Sequence, residues 1–263
     1  MAAAVFAIAL FGEDSVFGLV RVLGSAAARV AETAQSMMFG ELATDLIERP
    51  GGELAVMKAN QEATAALPTI PTVFSNLFFE HVNLAANEMR PGHRTRVDMA
   101  TLDVAVAFVE LVSSTEWTAS VAPAAHRAAL ANFERMATNL ATEQGCRVVK
   151  TIGDEVMVVG FDAAALCEFA TELCGAVGAD GRLPAARGGV SYGTVTPREG
   201  DYFGTAVNVA ARTAKEAEPG RVVVTGSVVA ESERAGRPLA STPLSMRRLK
   251  GVDEDVSLFV LDE

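Results

Sequence analysis

Apolar residues Val16, Leu19, Val20, Leu23, Ala27, Val30, Ala34 and Met37 recur every three or four positions, the stripe of an amphipathic helix. Asp14 or Ser15 stands where an N-cap would open it. The breaker cluster Arg49-Pro50-Gly51-Gly52 predicts the end of the next helical stretch, and Pro68 and Pro71 mark a further junction. A second stripe follows, made of Val73, Phe74, Leu77, Phe78, His81, Leu84 and Ala85, so the first hundred residues read as all helical. His81 has no metal-binding or catalytic partner near it in sequence and is expected as an interior histidine rather than a switch.

Residues 89–99 turn polar and basic, with Arg90-Pro91-Gly92-His93-Arg94 and Arg96, as a linker would. Beyond them the period changes. Strand-like runs at 104–112, 147–152, 155–161, 188–192, 221–225 and 256–261 alternate with helical segments at 124–144, 163–177 and 205–218. The Gly153-Asp154 pair predicts a tight hairpin, while helix-length connections join the other strands. The expectation is a helical region at 1–98, including the linker, followed by an α+β domain at 99–263. Its sheet should be mainly antiparallel with helices on one face. The sequence holds no internal repeat and no low-complexity tract.

Composition narrows the function. Half of the 263 residues are hydrophobic, enough for one large domain or a domain with a smaller companion. Acidic residues outnumber basic ones by 33 to 22 and no long Lys/Arg run occurs, which argues against nucleic acid as a partner. The three cysteines, Cys146, Cys167 and Cys174, follow no metal-ligand spacing and read as reduced thiols of a cytoplasmic protein. Cys167 and Cys174 share a helical face, as core residues would. The apolar run 1–11 is too short to span a bilayer and lacks the basic start of a secretory signal. It is expected to be buried or covered by a partner, with a membrane-surface anchor as the alternative; membrane association is otherwise not expected.

Chemistry enters through acidic residues where strands should be dry. Glu110 interrupts the run Val104-Ala105-Val106-Ala107-Phe108-Val109, and Asp154 sits at the tip of Lys150-Thr151-Ile152-Gly153-Asp154. Each alone reads equally well as a surface carboxylate. On neighbouring strand ends the two suit Mg²⁺, which takes one or two carboxylates and completes its shell with phosphate and water. Val112-Ser113-Ser114-Thr115 leads into a helix-like stretch whose N–H groups and hydroxyls could cradle phosphate, although a plain Ser/Thr N-cap would look the same. Asn208 and Arg212, four apart in the helix after Gly200-Asp201-Tyr202-Phe203-Gly204, form a polar pair aimed one way.

Three runs carry a family resemblance: Phe108-Val109-Glu110-Leu111-Val112, Val149-Lys150-Thr151-Ile152-Gly153-Asp154, and Asp201-Tyr202-Phe203-Gly204-Thr205-Ala206-Val207-Asn208-Val209-Ala210-Ala211-Arg212. In order and spacing they resemble the active-site blocks of class III adenylyl and guanylyl cyclases, and Leu249-Lys250-Gly251 resembles an element before the final strand. The likeness covers about residues 102–262. The helical region is similar to those preceding some actinobacterial soluble cyclases, though a plain dimerising bundle reads equally well.

The resemblance implies a ferredoxin-like palm of βαββαβ organisation and a homodimer converting ATP to cyclic AMP and pyrophosphate. By the same resemblance Glu110 and Asp154 hold two divalent ions, Mg²⁺ or Mn²⁺, while Lys150 and Asp201 read adenine. Asn208 orients the ribose, Arg212 meets the charge on the transferring phosphate, and Ser113, Ser114 and Thr115 lie at the phosphate loop. One chain's Glu110 and Asp154 would face Lys150, Asp201, Asn208 and Arg212 of the other. Four positions depart from the family: Glu110 stands where Asp is usual, Ser113-Ser114 where Gly-Phe is usual, and Val252 where some members carry a phosphate-binding Lys. These departures leave a second reading, a weakly active nucleotide-binding regulatory module. A guanylyl cyclase is the third, and should lack the Lys150–Asp201 pair.

Overall fold

Gly12, at φ +82°, separates helix α1 (Ala2–Phe11) from α2 (Glu13–Ser36). The computed structural model describes residues 2–36, 52–88, 101–252 and 255–262. The chain divides into two units, Met1–Arg90 and Pro91–Glu263. The first unit continues with α3 (Gly52–Ala66), a 3₁₀ turn (Leu67–Thr69) and α4 (Ile70–Glu88). Asp14 does not cap α2, because the helix starts at Glu13 and takes both acids into its first turn, where they favour the helix dipole. Pro71 falls at the second position of α4, where a proline lacks no bond the helix needs. Of the expected breaker at 49–52, Gly52 opens α3 and residues 49–51 lie outside the described residues, as do the linker at 89–99 and the side chain of His81.

Phe6, Leu10 and Phe11 on α1 are exposed, so the described residues of this unit do not bury the opening run. Among the described residues no helix is long and apolar enough to cross a membrane.

The second unit opens with β1 (Leu102–Leu111), α5 (Ser114–Ser120), α6 (Pro123–Glu143), β2 (Arg147–Ile152), β3 (Glu155–Gly160), α7 (Ala163–Asp180) and β4 (Ala186–Arg198). These strands lie in the order β2-β3-β1-β4, each pair antiparallel, the arrangement of a ferredoxin-like βαββαβ palm. β5 (Asp201–Phe203), α8 (Thr205–Lys215), β6 (Val222–Thr225) and α9 (Gly226–Arg234) follow. β7 (Ser241–Pro243), β8 (Arg247–Arg248), β9 (Asp255–Val256) and β10 (Leu258–Leu261) complete the unit. β6 joins β4 in parallel and extends the sheet through β10 to β7, while β5 folds back on the far end of β4.

Both faces of β1 are buried, since the strand is central. Ala105, Ala107, Val109 and Leu111 point into a core shared with Phe133 of α6 and Leu166, Phe169 and Leu173 of α7. Val104, Val106 and Phe108 point the other way, against Ala206, Ala210 and Ala214 of α8. Helices therefore cover both faces, not the single face expected. The small residues explain how α8 reaches the sheet: a Cβ on Gly189 of β4 would sit 2.0 Å from the backbone nitrogen of Ala214, so only glycine fits there.

Asp162 caps α7, accepting hydrogen bonds from the N–H groups of Ala164 (2.9 Å) and Ala165 (3.1 Å). Cys167 and Cys174 lie inside, and burial pushes both thiols up, Cys174 to about 12.

Candidate active site

The β2–β3 hairpin turns on Gly153, whose φ of +65° a two-residue turn with glycine in first position requires. Asp154 follows at the tip, and its carbonyl accepts a hydrogen bond from the Leu111 N–H at 3.0 Å. That bond ties the hairpin to the end of β1, so Glu110 and Asp154 occupy neighbouring strand ends. Glu110 faces Glu155 on one side and Arg187 on the other in the strand register.

Glu110 is only 6% exposed, and two cations of its own chain meet it. Arg187 donates from Nε to Oε1 at 2.8 Å, and Lys215 donates from Nζ to Oε2. Arg187 is further fixed by Nη1 bonds to the carbonyls of Lys215 (3.2 Å) and Ala217 (3.3 Å). Lys215 Nζ also lies 3.7 Å from Glu155 Oε2. Burial, with Asp154 beside it, raises the Glu155 carboxyl above the ordinary range, and burial lowers the Lys215 ammonium.

Among the described residues no three acidic, histidine or cysteine side chains form an all-protein metal cage. Glu110 and Asp154 nevertheless bring two hard oxygen donors to neighbouring strand ends, the donor type that Mg²⁺ or Mn²⁺ takes, although Arg187 and Lys215 occupy the Glu110 oxygens.

A second cluster forms where β5 folds onto β4. Lys150 on β2, just past a bulge between Val148 and Lys150, donates to Asp201 Oδ2. Asp201 Oδ1 accepts from the Tyr202 N–H at 2.8 Å. Partial burial works against the charge of Asp201, but these two hydrogen bonds and the Lys150 and Arg147 charges hold its carboxyl below the usual range. The Arg147 guanidinium lies 5.2 Å from the Tyr202 ring centroid and steadies that turn.

The third cluster is the outer face of α8. Gly204 enters it at φ +146°, where a Cβ would come within 2.9 Å of the Thr194 carbonyl oxygen. Ala206, Val209, Ala210, Thr213 and Ala214 are buried, which leaves Asn208 and Arg212 exposed side by side. Lys215 continues the same line one turn on.

Ser113 adopts the left-handed conformation (φ 54°, ψ 34°) before α5 and makes no capping bond with its side chain, so the N-cap alternative does not hold for it. A serine in this glycine-like geometry costs about 1 kcal/mol. Ser114 and Thr115 form the first turn of α5. Val252 packs with Val209, Val223 and Leu249 in a small apolar cluster, which accounts for an apolar residue there, and Lys250 stays exposed.

The family model for the adenylate and guanylate cyclase catalytic domain matches residues 97–261. The chain belongs to this family. An uncharacterized protein of Mycobacterium tuberculosis is 33% identical over 257 residues, 97% of this chain and 66% of that protein. A pH-sensitive adenylate cyclase of the same species is 32% identical, covering 94% of this chain and 62% of its own length. An adenylate cyclase of Streptomyces griseus is 37% identical over 131 residues, half of this chain and 33% of that one. The chain thus spans less than two thirds of these relatives' length. Among solved structures, the adenylyl cyclase CyaB from P. aeruginosa matches with a TM-score of 0.56 at 18% identity, over 62% of this chain and 95% of that one. The guanylate cyclase domain of RhGC from Catenaria anguillulae matches with a TM-score of 0.55 at 20% identity, over 61% and 96%. Both likenesses concern the fold, and the class III cyclase fold is the one seen here.

Within this cyclase domain the structure brings Lys150 to Asp201, Glu110 beside Asp154, and Asn208 beside Arg212. Sequence reasoning missed Arg187, Lys215 and Glu155. Lys215 was within reach of it, since it extends the Asn208–Arg212 face by three residues. The partnership with Glu110, 105 positions away, carried no local signal.

Proposed function

We propose that this domain is an adenylyl cyclase, joining the ribose 3′-oxygen of ATP to its α-phosphorus with release of pyrophosphate. The Lys150–Asp201 pair carries the reading: a fixed donor and a fixed acceptor stand side by side, matching the ring nitrogen and exocyclic amine of adenine and mismatching guanine. The relatives named adenylate cyclase agree with it.

Glu110 and Asp154 would hold the two divalent ions, which when bound favour the 3′-hydroxyl as its alkoxide and neutralise triphosphate charge. Asn208 orients the ribose. Arg212 meets the negative charge that grows on the phosphate oxygens, and the N–H groups at Ser113, Ser114 and Thr115 receive the phosphates. The site forms between two copies of the chain, the carboxylate pair of one facing the base-reading and helix residues of its partner, and a two-fold axis makes two such sites. The helical region at 1–98 serves dimerisation or regulation of the domain at 99–263, and the enzyme works in the cytoplasm.

A second reading, a nucleotide-binding module with little turnover, is favoured by one observation: both Glu110 oxygens already hold cations of the chain. Product analysis with purified protein, ATP or GTP, and Mg²⁺ or Mn²⁺ separates the two. The expected outcome is cyclic AMP, with kcat/KM for GTP at least about ten-fold lower, and no product from Glu110→Ala. Nucleotide binding without product would favour the module, and preferred formation of cyclic GMP would overturn the base assignment.

A further inference from the structure

Three features of Lys215 set it apart from the other cation at Glu110. Its backbone is fixed, because α8 lies directly on Gly189 and the Lys215 carbonyl is held by Arg187. Its side chain is the looser of the two, 47% exposed against 24% for Arg187, and has no second anchor comparable to the two carbonyl bonds of Arg187. A second carboxylate, Glu155, waits 3.7 Å from its ammonium.

We propose that Lys215 is a built-in rival of the divalent metal ion at Glu110, holding Oε2 while metal is absent and giving it up when metal binds. The proposal rests on Glu110 being a metal ligand. A carboxylate this buried is costly without a partner, and Arg187 alone covers only Oε1. The flexible four-carbon stem of Lys215 can swing the ammonium from Glu110 toward Glu155 without moving α8, so the exchange needs no change in the fold. Arg187 stays in place and keeps the carboxylate oriented. The carboxylate's extra methylene at this position suits the arrangement, since Glu110 reaches both cations while remaining on the sheet. Metal affinity at this site is therefore set by a contest inside one chain, and the threshold it creates depends on a residue that need touch neither nucleotide nor metal.

The test is Mn²⁺ binding to the purified full chain without nucleotide, read from the free-ion paramagnetic resonance signal. Lys215→Met keeps an unbranched side chain of similar helix propensity, one atom shorter, and removes the charge. Its Kd for Mn²⁺ should fall about three- to ten-fold, and Mn²⁺ should raise its Tm more than that of the wild type. Lys215→Arg retains a cation and should stay near the wild-type Kd. Lys215→Gln serves as a second neutral variant, and unfolding curves without metal verify that each protein is folded. Glu110→Ala should lose most Mn²⁺ binding whatever stands at 215. If Glu110→Ala loses binding while Lys215→Met and Lys215→Gln bind no tighter than wild type, the rivalry is overturned and the metal assignment stands. If Glu110→Ala binds as wild type does, the metal assignment is overturned and the rivalry with it.

Discussion

Lys150 and Asp201, 51 positions apart in the chain, close an ion pair between β2 and β5, and the Tyr202 N–H fixes the second oxygen of Asp201. The pair is made within one chain. If the pair reads a base as proposed, a donor and an acceptor fixed in this way lower the ordering cost of doing so.

Exchanging that pattern should change base choice. Lys150→Glu together with Asp201→Cys replaces the donor by an acceptor and removes the fixed acceptor. The ratio of kcat/KM for ATP over GTP should fall by at least about ten-fold. Steady-state kinetics with both nucleotides measures it, and an unmoved ratio would show that these residues do not read the base.

Gly189 decides where α8 sits, and hence where Asn208, Arg212 and Lys215 point. In Gly189→Ala the new methyl meets the Ala214 backbone, which no rotamer change relieves. A loss of about 3 kcal/mol is expected, measured by urea unfolding, together with a fall in kcat. A variant as stable and active as the wild type would mean that α8 is not pressed onto β4.

The Asp162 cap can be tested apart from catalysis. Asp162→Ala should destabilise the domain by about 1 kcal/mol at neutral pH. The folded-state carboxyl is held low: partial burial opposes its charge, but the Ala165 and Ala164 N–H groups and Arg237 outweigh that. Its contribution is therefore present above the unfolded pKa of about 3.9 and is lost as pH falls through the lower folded value. Unfolding curves should show a constant gap between wild type and variant from pH 7 to about 5 and a shrinking one below about 4. A gap that grows in acid would reverse the sign.

Much of the palm was legible in the sequence because β1, β3 and β6 are buried runs. The β2–β3 hairpin was marked by Gly153, which supplies the positive φ a two-residue turn needs. β4 was expected only at 188–192 but runs to Arg198, because Thr196, Pro197 and Arg198 at its outer end pair with β5 at the sheet's margin and need no apolar pattern. β7, β8 and β9 are two or three residues long and too short to show a period. The face chosen by α8 was hidden as well, since Ala206, Ala210 and Ala214 give a helical stripe without saying which side of the sheet receives it. At the site, the family blocks brought out Glu110, Lys150, Asp154, Asp201, Asn208 and Arg212. The cations on Glu110 come from a strand and a helix distant in sequence: the register of β1 against β4 brings Arg187, and the packing of α8 on the sheet brings Lys215.

A cyclase site shared between two chains is tested most directly by subunit complementation. Glu110→Ala removes a residue from one half of the site and Arg212→Ala from the other, so each variant alone should be nearly inactive. In a mixed dimer one site collects both lesions and the other collects neither. After random exchange about half the dimers are mixed, each with one intact site of two, so cyclic AMP formation from ATP should recover to roughly a quarter of the wild-type rate. Exchange itself is followed by energy transfer between differently labelled subunits. If exchange is complete and no activity returns, the site is not shared in this way.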